Sequence, residues 1–396
     1  MPAITVCNHN AFVRSRVEQH LTPAARAAFN ESLLWRLGYD PDSIDFSTLP
    51  DTSFWHLFGE LSPSVNETFV ECTFALAFID CDEYVRRMYF SEVSCYTFHA
   101  YAYTSQHGHL QALAPGKNAG FAMVLDAMPH ENFVPSQAGI GFDVYIHDQS
   151  VFPHTDGHHF AIGPGQQVNV AIEQEKTVRL SRPYFEDDCM SAADVIRNEV
   201  RLEQADINSS YVIPYSQEYC EYECDFRFVF GGCGCDGGES GHCSSFRRTV
   251  ECYNERYRDT LAPGNCHCQP TCEQTHYSLQ ISSGQYPSNL DVMVASRRNW
   301  TVQSEADMRS RLVYLDVYFK SLTVEVTRYV PALTLTDLFS TIGGLLGLFA
   351  GASVMTVVEF VDIGLVCLFT LVKKRLRKGS EVNDSHFATE SVKNKR

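Results

Sequence analysis

The sequence predicts an α+β extracellular domain with cysteine-rich inserts, followed near its C-terminus by an apolar segment long enough to enter a membrane. Three observations carry that prediction. β-Branched, strand-like runs lie at both ends of the first 337 residues, 14 of the 15 cysteines fall before residue 338, and Leu338 to Val372 carries only two charged side chains, Glu359 and Asp362. Strands at both ends that enclose helical and cysteine-rich stretches read as one α+β domain with inserted subdomains. An even cysteine count outside the apolar run suits an oxidising compartment.

Taken in order, Pro2 to Cys7 is β-branched and predicts a first strand. From Arg14 to Leu37 the pattern becomes helical, with Ala24 to Ala28 and Leu33 to Leu37 as turns of helix, and a loop rich in Pro, Asp and Ser follows. Cys72 and Cys81 bracket a short loop, and Val93 to Phe98 predicts a strand returning to the core. Phe121 to Leu125, Phe142 to His147 and Val168 to Ile172 are further short strands, separated by Pro115-Gly116 and Gly163-Pro164-Gly165. There is no internal repeat and no low-complexity tract.

Ten cysteines lie between Cys189 and Cys272, five on the way out (Cys189, Cys220, Cys224, Cys233, Cys235) and five on the way back (Cys243, Cys252, Cys266, Cys268, Cys272). Spacing alone leaves the connectivity open. A nested pairing is physically attractive, because two antiparallel segments are then bridged rung by rung: 189 with 272, 220 with 268, 224 with 266, 233 with 252 and 235 with 243. The competing reading is a zinc site, since Cys233-x-Cys235 and Cys266-x-Cys268 resemble ligand pairs. An extracellular context favours disulfides.

Charge supports that context. The tail from Lys373 to Arg396 holds 8 Lys and Arg against 3 acids, which leaves the preceding part near −22. A basic cluster directly after an apolar span is expected on the cytosolic side, with residues 1–337 outside at the plasma membrane. So acidic an ectodomain excludes nucleic acid as a natural partner and concentrates cations near a membrane. Four N-x-S/T sequons, at Asn30, Asn66, Asn208 and Asn299, fall on the same side. Neither a signal peptide nor an apolar helix precedes this region, so the sequence is expected to be the N-terminally truncated part of a longer chain.

The segment from Leu338 to Val372 is longer than the ~20 residues that one straight crossing needs. Gly343, Gly347 and Gly351 recur every fourth residue, with Gly344 beside them, a spacing that lets membrane helices approach closely. Gly351-Ala352-Ser353 has the composition of a stretch that leaves the helix and turns carbonyls inward, which lipid tolerates only beside water or protein. Acids such as Glu359 and Asp362, when buried in a bilayer, face a cavity or an ion path. A pore segment is one reading, and a single anchor helix with two snorkelling acids is the other. His154, His158 and His159, with His107 and His109, offer imidazoles for proton or metal binding, yet no Cys or paired acid except Asp156 completes a site. No nucleophile–base constellation and no phosphate loop is present, so the chain reads as a non-enzyme without a cofactor.

These pieces together resemble the degenerin/epithelial sodium channel family, in particular its acid-sensing type. Pro2 to Asn8 is similar to the family's first palm strand, and Cys72, Cys81 and Cys95-Tyr96-Thr97-Phe98 to its finger-to-palm cysteines, implying bridges Cys72–Cys81 and Cys7–Cys95. Ile146-His147, Pro153, Gly157 and Pro164-Gly165 resemble the strand and loop leading to the thumb, and the nested cysteines resemble its disulfide-braced shaft. Leu315 to Phe319 through Glu325 is similar to the last palm strands. Gly343-Gly344, Gly351-Ala352-Ser353 and Glu359-Phe360-Val361-Asp362 carry the most specific likeness.

The resemblance implies a fist-like ectodomain over 1–337, with a finger at 12–95, a thumb at 184–280 and palm strands around them. A second membrane helix at 338–372 and a cytosolic tail at 373–396 follow. It also implies a trimeric, sodium-preferring, amiloride-blockable channel, whose partners are sodium ions, two further subunits, lipid and an extracellular ligand or peptide. Gly351, Ala352 and Ser353 would form the selectivity filter, Glu359 and Asp362 acidic rings below it, and Thr341, Gly343, Gly344 and Gly347 the outer pore. Tyr184, Asp316, Leu322, Thr323 and Glu325 would serve gating. The chain departs from the acid-sensing pattern at Thr341 and Ala122, where those members carry acids, and between Val134 and Gly139 it lacks their paired acids. Peptide, mechanical and constitutive gating therefore stand beside proton gating. The rival is a non-conducting single-span receptor or adhesion protein.

Overall fold

A computed structural model of the chain describes residues 1–33, 44–90, 93–99, 110–133, 139–153, 159–180, 189–191, 200–203, 210–231, 233, 245–256, 266–298, 300, 304–350 and 354–390. The chain forms two units, Met1–Tyr329 and Val330–Arg396.

The first unit is built on two β-sheets. One has the order β4-β5-β1-β7-β8, formed by Val85–Phe90, Val93–Phe98, Ala3–Asn8, Phe142–His147 and His159–Ile162. The other has the order β12-β9-β13-β6-β2-β3, formed by Glu273–Gln285, Gln166–Val178, Leu312–Arg328, Phe121–Asp126, Phe69–Phe74 and Ala77–Ile79. Alternating residues of both supply one core: Ile4 and Val6 in β1, Phe121, Met123 and Leu125 in β6, Val168, Val170 and Ile172 in β9. Alternate side chains of a strand share one face, and here β1 and β6 are buried on both faces. Phe98 stacks on Phe121 at its centre.

A second core belongs to helices. α1 (Arg14–His20), α2 (Pro23–Leu33) and α3 (Phe54–Leu61) bring Val17, Leu21, Ala25, Ala28, Phe29 and Phe58 together at helical spacing. Phe12 meets Phe29 and Phe58 edge-on at 5.0 Å, a favoured arrangement of aromatic pairs. A one-turn helix α4 (Val65–Thr68), closed by the Ser64/Glu67 capping box, returns the chain to β2, and α5 (Cys81–Tyr84) leads to β4.

Several expectations from the sequence need revision. Cys72 and Cys81 do not bracket a plain loop. They flank the β2–β3 hairpin, whose turn residues Ala75 and Leu76 have φ of 48° and 65°, so the left-handed backbone that such tight turns need is taken here by two non-glycine residues. The short strand at Val168 to Ile172 lies in the first half of β9, which runs for 13 residues. The stretch from Leu315 through Glu325, expected as more than one strand, belongs to a single 17-residue strand, β13. It pairs parallel with β9 and slips register once: Phe319 stands opposite Ile172 and Val324 opposite Gln174, so five residues of β13 pass against two of β9.

The cysteine-rich stretch holds the hairpin of β10 (Val200–Glu203) and β11 (Ser210–Ile213), then α6 (Gln217–Gly231) and α7 (Phe246–Arg256). Disulfides join Cys189–Cys272, Cys220–Cys268, Cys224–Cys266 and Cys233–Cys252 there, and Cys7–Cys95 and Cys72–Cys81 elsewhere. Cys235 and Cys243 lie outside the described residues. Tyr219 and Tyr222 of α6 pack on Phe152, seating the helix on the outer face of the first sheet. Two serine-capped helices, α8 (Asn289–Arg297) behind Ser288 and α9 (Glu305–Arg311) behind Ser304, precede β13. Arg311 at the end of α9 reaches Asp126 at 2.5 Å, a largely buried ion pair that fixes the start of β13 on β6.

The second unit is helical. α10 covers Leu335–Ala350 and α11 covers Val354–Glu390.

Candidate functional site

The start of α10 is set by Thr334. Its Oγ1 accepts from the backbone N–H of Asp337 at 3.1 Å, and its own N–H donates to the Asp337 carboxylate at 3.0 Å, a reciprocal cap that satisfies donors the first turn would leave open. One turn on, the Thr341 hydroxyl donates to the Asp337 carbonyl at 2.7 Å, so this side chain lies along its own helix. Apart from their chain neighbours and their own helix backbone, Gly343, Gly344 and Gly347 have no atom of the described residues within 4 Å of where a Cβ would stand. Among the described residues nothing occupies the space beside those glycines, and small residues admit a neighbouring backbone.

Val354–Leu376 in α11 is long and apolar enough to cross a membrane, with mean hydropathy 2.1. Leu335–Phe349 is a shorter apolar helix. Glu359 and Asp362, three residues apart and exposed, share one face of α11. Thr370 turns its hydroxyl back to the Val366 carbonyl at 2.9 Å, which hides that polar group from an apolar surround. Lys373, Lys374 and Arg375 begin the basic stretch. Gly351, Ala352 and Ser353 lie outside the described residues, between the two helices.

In the first unit, Asp316 sits in the middle of β13, flanked in register by Ala122 of β6 and Asn169 of β9. It is 5 % exposed, and its Oδ1 makes no hydrogen bond among the described residues. Burial pushes its carboxyl up to about 6, against the pull of Lys117, whose ammonium donates to Asn169 Oδ1 at 2.7 Å. Lys117 and Asn169 were not singled out from sequence. Only the pairing of three distant strands brings them to Asp316. Leu322 and Thr323 lie in the register slip of β13, where Thr323 N–H donates to Ser321 Oγ at 3.1 Å, and Leu322 is 47 % exposed. Glu325 stands just beyond, opposite Glu175.

Tyr184, His107, His109, His154, His158, Asn208 and Asn299 lie outside the described residues. His159 lies in β8, its ring 5.2 Å from Tyr145. Among the described residues no group of three or more His, Cys, Asp or Glu could hold a metal ion. Asn66 is exposed in the first turn of α4 with its amide on Asp82, whereas Asn30 is half-buried in α2 and the hydroxyl of its sequon partner Ser32 donates to the Phe29 carbonyl.

A family model described as "Amiloride-sensitive sodium channel" matches residues 1–363. The chain is 26% identical over 402 residues to "Acid-sensing ion channel 1B" of Danio rerio, covering 95% of this chain and 65% of that protein. It is 26% identical over 315 residues to "Degenerin-like protein unc-105" of Caenorhabditis elegans, covering 74% of this chain and 33% of that protein. With "Acid-sensing ion channel 1" of Gallus gallus it shares 24% over 418 residues, 97% of this chain and 73% of the relative. The chain thus spans about a third to three quarters of the length of these relatives. The matched stretch contains both sheets, the cysteine-braced helices, α10 and the acids of α11, and the chain belongs to the amiloride-sensitive sodium channel family.

Proposed function

We propose that the chain is a subunit of a trimeric, sodium-selective, amiloride-sensitive cation channel of the plasma membrane, with residues 1–337 extracellular and the basic tail cytosolic. The observation that carries the reading is the family match through residue 363, which takes in the whole of Leu338 to Asp362. On this reading the two sheets form the palm, the helical core of α1 to α3 belongs to the finger, and the disulfide-braced α6 and α7 form the thumb. α10 and α11 together are the second membrane segment, interrupted at Gly351-Ala352-Ser353. Three subunits would line the constriction with three inward carbonyls per ring, few enough to leave a small cation partly hydrated. The open groove along Gly343, Gly344 and Gly347 supports close approach of a neighbouring helix. Glu359 and Asp362 supply the negative rings that draw cations toward such a pore. Asp316, Tyr184, Leu322, Thr323 and Glu325 are the gating positions, and the sequons, Asn66 foremost, carry glycans.

The test is expression in oocytes of the full-length protein containing this chain, with external sodium exchanged for a large organic cation during acid, peptide and stretch stimuli. An inward current that vanishes with the exchange and with amiloride is expected, and native mass measurement should give three copies. A surface-expressed protein that passes no such current under any of these stimuli overturns the reading and leaves an anchored receptor.

A further inference from the structure

The cysteine-braced helices are held at their base, where Tyr219 and Tyr222 of α6 pack on Phe152. They are held again where α7 enters the helical core of α1 to α3 through its first residue, Phe246, which is fully buried there. Its ring meets Phe29 edge-on at 5.3 Å and stacks on Phe54 at 5.9 Å. Val250, one turn later on the same face of α7, packs against the same core. Backbone bonds clamp the entry point. The Phe246 N–H donates to the Thr52 carbonyl at 2.7 Å, Ser245 pairs with Ser53 as an antiparallel bridge, and Arg247 Nε donates to the Leu49 carbonyl at 2.8 Å.

The joint is therefore made of rings and backbone hydrogen bonds. Arg248, exposed beside it, pairs with Glu251 inside α7 at 2.9 Å, and among the described residues no ion pair crosses from α7 to α1, α2 or α3. Separating the two parts would bring Phe246 and the pocket between Phe29 and Phe54 into water together, and no new charge pairing would offset that apolar exposure. On another face of α7, Cys252 is bonded to Cys233 just beyond α6, and Arg248 donates to the Cys233 carbonyl at 3.1 Å. α7 is thus tied to α6 by a covalent bond and to the helical core by an apolar plug.

We propose that Phe246 is a latch that makes the helical core and the cysteine-braced helices one moving body, with α7 staying seated on α1 to α3 under stimulation as at rest. The inference rests on the channel reading only for its effect on current. Seating itself is measured without current, so the two fail separately.

The experiment uses the full-length protein containing this chain, reconstituted in liposomes, with hydrogen exchange of Thr249 to Arg256 followed at about pH 7.4, at about pH 6 and under hypo-osmotic swelling. After correction for the intrinsic rate at each pH, protection is expected to agree within about twofold across the three conditions. Phe246→Ala should accelerate exchange there at least about a hundredfold and leave β1 unchanged, since truncating a buried ring commonly costs that much in a local opening equilibrium. Phe246→Leu, which keeps an apolar plug, should give a smaller rise and serves if the alanine variant does not fold. Ser53→Cys together with Ser245→Cys should cross-link spontaneously, because directly opposed strand residues stand close enough for a disulfide, as Cys7 and Cys95 do in register across β1 and β5. In oocytes the cross-linked protein should carry a stimulated current within about twofold of either single variant, since a bond across a joint that never opens restrains nothing.

Exchange that rises under stimulation, exchange indifferent to both substitutions of Phe246, absence of the cross-link, or a cross-linked protein whose current is lost while the single variants conduct each overturns the latch. Single variants that reach the surface and pass no current overturn the channel reading instead, and the exchange and cross-link results still decide the latch.

Discussion

Asp316 faces Ala122 across the antiparallel pairing of β13 with β6, so a buried carboxylate stands opposite a methyl group rather than a second acid. The charge is left to Lys117 and Asn169 on the other side. Because burial raises its folded-state pKa from 3.8 to about 6, the folded state holds the proton more tightly than the unfolded chain. The associated stability is fully present below the unfolded value and is lost as pH rises through about 6.

Asp316→Asn is therefore expected to stabilise the protein at about pH 7.4, by roughly 3 kcal/mol at most for a shift near two units. The advantage should vanish at about pH 4, where the wild-type carboxyl is protonated too. Thermal unfolding of both proteins at the two pH values measures it. A destabilised variant at the higher pH would show that the charge is compensated better than the geometry indicates.

A large transient current on stepping from about pH 7.4 to about pH 6 is not expected, although Asp316 titrates in that window. One carboxyl without a partner acid gains a proton but releases no mutual repulsion, and Thr341 adds no charge to the proposed outer pore. Whole-cell recording decides it. Should a small acid effect appear, replacement of His154, His158 and His159 by Ala is expected to remove it, because protonating the isolated Asp316 carboxyl relieves no repulsion.

Non-reducing peptide mapping should recover Cys235 joined to Cys243, completing a ladder with the four bridges from Cys189–Cys272 to Cys233–Cys252. Each closed loop contributes roughly 2–4 kcal/mol. Mild reduction is accordingly expected to alter gating kinetics before unitary conductance. Free thiols at residues 235 and 243, or zinc recovered with the protein, would contradict the ladder.

In the proposed trimer, Ser353→Leu should change sodium selectivity or abolish current while surface expression is kept, because three bulky side chains would crowd one constriction. Glu359→Gln is expected to be milder, lowering conductance more than it alters selectivity, since ring charges attract cations without coordinating them tightly. Normal currents from both variants would reduce Leu338 to Val372 to an anchor.

Much of the fold could be read from local pattern, and the reason differs by element. β7 is expected at Phe142 to His147 and is found there, because Gly141 before it and Asp148 after it punctuate an apolar alternation. β12 escaped notice. Its residues Gln280 to Gln285 are Ser-, Gly- and Gln-rich, and as an edge strand it needs an apolar face only at Tyr277, Leu279 and Ile281. The register slip of β13 was equally invisible, since Lys320 to Thr323 has strand-like composition whether or not it pairs. Glu359 and Asp362 stand out because charge inside an apolar run is conspicuous in sequence. A cleft of about 980 Å³ lined by Phe152, Tyr215 and Tyr277 does not, because residues 148–153, 214–218 and 271–281 meet only after both sheets and the cysteine-braced helices have assembled.

β13 uses five residues where β9 uses two, so three residues, about 10 Å of extended chain, are taken up between Phe319 and Val324. That length is slack. Upstream of it the strand is locked into the core by Leu315 and Val317, and downstream it is zipped to β9 as far as Arg328. Tension applied at the Arg328 end would first have to unzip Val324 to Arg328 from β9, would then draw out the slack with its local contacts such as that between Ser321 and Thr323, and would reach the core strand last.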